Sequence, residues 1–105
     1  MHPVVGNKKQ ETKIREMGHI AKNMFPHIEV MAFKGSFRLA IRSALKKNQF
    51  NDWEEVSQRP YKVKKKFFET ILDESVSQLK KLGMKEDETD ILIDSLKKEN
   101  EKYLK

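Results

Sequence analysis

The 105-residue chain has room for one domain and one modest core, and its 37% hydrophobic against 36% charged residues predict a packed centre with solvated ends. It holds no cysteine, which excludes a disulfide framework and thiolate metal sites. The net charge of +6 is unevenly spread: residues 1–68 carry 15 Lys and Arg against 6 Asp and Glu, residues 69–105 carry 7 against 10, so the basic part is fitted to a polyanion.

Residues 1–7 contain a proline, a glycine and no period, and are read as a flexible tail ahead of a single helical domain, 8–105. From Lys8 to Phe25, Ile14, Met17, Ile20, Ala21 and Met24 recur at helical spacing. Ile14, Ala21 and Ile28 with Met17, Met24 and Met31 also fit a heptad, but Pro26 interrupts it, so two segments should meet there rather than form one rod. The segment 28–33 has no clean polar face and fits either a strand or a short buried helix begun by Pro26; the helix is preferred, because a lone strand would lack partners. Lys34-Gly35-Ser36 should break it, with Ser36 capping the next helix.

That helix has the fullest amphipathic pattern: Phe37, Ala40, Ile41, Ala44 and Leu45 face inward, while Arg38, Arg42 and Lys46 form a basic flank. Asp52 and Glu55 make a capping box for a short helix, with Trp53 and Val56 turned to the core. Pro60 opens the next helix at its first position, Val63, Phe67, Phe68, Ile71, Leu72 and Leu79 supply its apolar face, and Gly83 ends it in left-handed geometry. The last helix, 87–104, starts within "KEDETD"; its apolar face thins after Leu96, so it is drawn as an element able to protrude. The expected fold is all-α, a small bundle of four to five helices with a helix-turn-helix-like centre.

The two C-terminal helices differ in charge order. The last places acids first and lysines last, as the helix dipole favours. The Pro60 helix does the reverse: Lys62, Lys64, Lys65 and Lys66 lead, and Glu69, Asp73 and Glu74 follow. Each misplaced charge costs a few tenths of a kcal/mol, and a bound anion would remove the conflict. Lys62, Lys65 and Lys66 fall opposite the apolar face and should be exposed, with Lys64 alone leaning towards it.

These features predict a nucleic-acid-binding protein, duplex DNA before RNA, gripping phosphates with Arg38, Arg42, Lys46, Arg59, Lys62, Lys65 and Lys66, with Tyr61 beside them. Lysine holds backbone better than it reads bases, so modest sequence specificity is expected. The phenylalanines fit a core better than a base-stacking platform.

The alternative is a protein-interaction adaptor or homodimer using Met17, Met24, Met31, Leu92, Leu96 and Tyr103. No catalytic residue, metal site or cofactor is expected: His2, His19 and His27 lack ligand spacing, Glu16 and His19 suit a surface pair, Ser36 and Ser57 suit caps and turns, and the isolated glycines build no phosphate loop. No window reaches the roughly 18 apolar residues of a membrane span, and no apolar secretory segment opens the chain. A cytoplasmic protein without membrane contact is expected, with nuclear or nucleoid association the variant for a DNA binder.

Overall fold

A computed structural model describes the backbone of residues 5–104 and the side chains of residues 9–101. Its five helices are α1 (Val5–Met24), α2 (Val30–Lys47), α3 (Trp53–Ser57), α4 (Tyr61–Lys81) and α5 (Glu86–Leu104), with no strand among the described residues, as an all-α bundle requires. No helix is long and apolar enough to cross a membrane among those residues.

Two antiparallel hairpins, α1–α2 and α4–α5, are joined through the single turn of α3. The first reverses around Pro26. Its loop is tied down by Lys22, whose ammonium donates to the carbonyls of Pro26 and Ile28. Farther from the loop, Gly18 of α1 lies against Val30 and Lys34 of α2, and Glu11 pairs with Arg38. The second reverses at Gly83, which has φ +99°. There the Gly83 N–H donates to the Lys80 carbonyl and the Met84 N–H to the Leu79 carbonyl, the two bonds of a Schellman motif.

The hairpins face each other across one core. Phe37 of α2 meets Phe68 of α4 edge-on at 6.2 Å, and Ala40, Ala44, Ile71 and Leu72 are buried between the same pair of helices. Helix α1 contributes Ile14, Met17 and Ala21, and α5 contributes Leu92, Ile93 and Leu96. Lys13 of α1 donates to Asn100 of α5 at 3.3 Å, while His27 lies 3.8 Å from Glu88, so α1 runs antiparallel to α5 as well.

Four local expectations need correction. The helix α1 begins at Val5, so residues 5–7 belong to it; residues 1–4 lie outside the described part. Segment 28–33 is neither a strand nor a separate helix: α2 starts at Val30, with the Glu29 carboxylate accepting from the Met31 N–H at 3.2 Å. The helix then runs through Gly35 and Ser36 without a break. Phe33, Ser36, Phe37 and Ala40 form one buried stripe, and that burial outweighs the ~1 kcal/mol penalty of a mid-helix glycine. Finally, α5 does not protrude through Asn100, which is 3% exposed; it lies along α4 and α1.

Two further signals hold with a shift in detail. Asp52 caps α3 by accepting from the Glu55 N–H at 2.9 Å, although the Glu55 carboxylate reaches back to the Asn51 N–H rather than to that of Asp52. Pro60 sits one position earlier than expected, as the extended N-cap residue of α4.

Candidate nucleic-acid interface

The first turn of α4 contains no acidic residue, and Pro60 supplies no side-chain cap, so that helix start is electropositive from both its backbone and its lysines. Residues 42–66, which run from the end of α2 to the first turns of α4, hold eight Lys and Arg against three Asp and Glu; residues 69–90 hold three against seven. The charge reversal along α4 therefore extends into the sequence on either side of it.

The seven cations expected to meet nucleic acid divide into two groups, with Tyr61 beside them. Arg38 is held by Glu11 through two hydrogen bonds, 2.7 Å and 3.1 Å, in a fork that satisfies both partners. That hydrogen bonding, with the Arg38 charge, keeps the Glu11 carboxyl below the usual carboxylate range. Arg59 lies over the Phe50 ring at 5.3 Å and pairs with Glu55 at 3.2 Å, and Lys65 lies 3.8 Å from Glu101. These three cations have partners within the fold. Arg42, Lys46, Lys62 and Lys66 are exposed and make no ion pair among the described residues.

Phe50, just after α2, packs edge-on against Phe67 of α4 at 5.7 Å, and Trp53 meets the same ring at 5.9 Å. Lys47 and Ser43 bind Glu74, fixing the other side of α2 against α4. Tyr61 is 37% exposed beside the lysines, whereas Phe67 and Phe68 are each only 2% exposed, so the latter are core and not a stacking platform.

The residues of the adaptor alternative are mostly interior. Met17, Leu92 and Leu96 are fully buried, Met24 packs against the core, and only Met31 is prominently exposed, at 67%. Pro26 causes this split: it ends the heptad, so α2 turns back and presents Met31 on a different face. The Tyr103 side chain lies outside the described residues.

Among the described residues, no three His, Asp or Glu side chains gather as metal ligands. Glu16 and His19 form no ion pair.

Reasoning from sequence gave Lys9 and Lys13 no role and read Trp53 as core alone; all three line a cleft behind the start of α4 together with Lys64. They come from three helices, and only the half-apolar setting of Lys64 carried a sequence signal. Compared with protein-family models, curated proteins and solved structures, the chain matches none.

Proposed function

We propose that the chain binds nucleic acid, most simply duplex DNA, by holding phosphates with Arg42, Lys46, Lys62 and Lys66, and performs no chemistry of its own. The observation that carries this reading is the division among its cations: the exposed Arg42, Lys46, Lys62 and Lys66 make no ion pair among the described residues, while Arg38, Arg59 and Lys65 do. The order α2, short α3, three-residue turn, α4 supports it, because helix-turn-helix proteins lead into the major groove with the start of their final helix. Arg59 and Arg38 then serve as braces for the face rather than as its grip.

The grip is mainly lysine, with no asparagine or glutamine on the first turn of α4, so affinity should vary little with sequence. Such a partner places the protein where nucleic acid is, in the cytoplasm, nucleoid or nucleus. Fluorescence anisotropy with a short mixed-sequence duplex and the corresponding single strand, across a salt series, tests the reading. Duplex binding whose log affinity falls linearly with log salt is the expected result. Failure of both nucleic acids to bind at low salt would overturn it.

A further inference from the structure

An apolar cleft of about 300 Å³ opens where α1, α3, α4 and the end of α5 converge, a size at the small end of the range for pockets that take low-molecular-weight ligands. Trp53, Val56, Phe67 and Phe68 line it with carbon. Lys9 and Lys13 stand on the α1 side and Lys64 on the α4 side, with Glu16 the single carboxylate in the wall. The cleft is thus greasy within and carries a net positive wall.

Lys13 is built into that wall. Its ammonium lies 5.6 Å from the centre of the Phe68 ring and donates to Asn100, whose side chain is buried. Burial lowers its pKa from the ordinary lysine value, against the opposing pull of Glu16 and Glu99. Lys64 is half-buried and makes no ion pair among the described residues. Its stem can follow the apolar wall while its charge remains at the mouth.

We propose that this cleft binds a small amphipathic monoanion, an aryl or medium-chain carboxylate, with its apolar body against Trp53 and Phe67 and its carboxylate between Lys64 and Lys9. The charge of the wall selects the class. A neutral molecule of the same shape makes no charge-assisted contact with Lys64 or Lys9, and a cation is repelled by them. The site uses none of Arg42, Lys46, Lys62 or Lys66 and stands independently of nucleic-acid binding.

Trp53 is the only tryptophan, so its fluorescence reports on the cleft directly. The full chain would be titrated at fixed ionic strength with octanoate and with octanamide, its uncharged counterpart, without nucleic acid present. Octanoate should give a saturable change, and octanamide should bind about tenfold or more weakly, the loss of one charge-assisted contact. Lys64→Gln should weaken octanoate by a similar factor and leave octanamide unchanged, while Lys62→Gln, outside the cleft, should alter neither. No saturable response to octanoate, or equal binding of octanamide, would overturn the proposal. So would a fluorescence change that follows protein concentration instead of ligand, because the occupant would then be a second copy of the chain.

Discussion

Replacing Lys62 and Lys66 together with alanine tests the interface at its most exposed point. Both side chains are exposed on the first turns of α4 and make no ion pair or side-chain hydrogen bond among the described residues, so the double variant should unfold at nearly the wild-type midpoint. The four cations proposed as the grip, Arg42, Lys46, Lys62 and Lys66, correspond to four phosphate contacts. Each contributes about −0.9 to the slope of log affinity against log salt, giving about −3.6 for the wild type. Raising salt from ~50 to ~200 mM should then weaken wild-type binding by roughly two orders of magnitude, and binding by the double variant by only about tenfold.

Arg42→Ala with Lys46→Ala should produce a similar loss of slope, because these two likewise make no ion pair among the described residues. Lys65→Ala should change it little, since Lys65 already has Glu101 beside it. Anisotropy at four or five salt concentrations supplies every slope. A wild-type slope retained by both double variants would refute the assignment of phosphate contacts to unpaired cations, even if the protein bound DNA.

Three further predictions concern the scaffold. Gly83→Ala should cost about 1 kcal/mol in urea unfolding, the strain of an alanine at positive φ less the benefit of a stiffer unfolded chain; no neighbour lies within 4 Å of the added methyl, so the loss would come from the backbone alone. Gly18→Ala should stabilise by up to ~1 kcal/mol through helix propensity, because its closest new contact, 3.3 Å to Lys34 Cε, is with a flexible side-chain end that can yield; a clear destabilisation would show that α1 and α2 are locked at this crossing. Glu11 has a lowered folded-state pKa through Arg38, so its contribution is present above the unfolded value of about 4.3 and disappears as pH falls through the folded one. With both side chains 40–47% exposed, that contribution should stay under about 1 kcal/mol, and Glu11→Gln should flatten the acid limb of stability against pH by no more than this amount.

The parts of the fold that were legible in the sequence are those set by neighbouring residues. Pro60, Gly83 and the acidic run at Glu86 mark ends that depend on backbone groups a few positions away, and Asp52 with Glu55 does the same for α3. The region from Ile28 to Ser36 was misread because local and distant preferences conflict there. Gly35 and Ser36 are poor helix formers, but the hydrophobic stripe that includes Phe33 and Phe37 must be buried against other helices, and tertiary packing decides.

The basic flank was visible as a charge pattern, yet its division into paired and unpaired members was not. Glu11, 27 positions from Arg38, and Glu101, on another helix from Lys65, become neighbours only when the hairpins close. The methionine period ends where the sequence places the break, at Pro26: Met17 and Met24 stay on α1 and Met31 lies at the start of α2.

The approach of α1 to α5 has a consequence for folding order. Lys13 and Asn100 are 87 positions apart, whereas each hairpin closes through a reversal of only a few residues. Loop-closure entropy therefore favours the two hairpins as early, independently searching units, with the α1–α5 seam fastened last. Since the Trp53 cleft spans that seam, it takes shape only when the two ends of the fold meet. Its fluorescence would record the final docking step and remain silent to the formation of either hairpin alone.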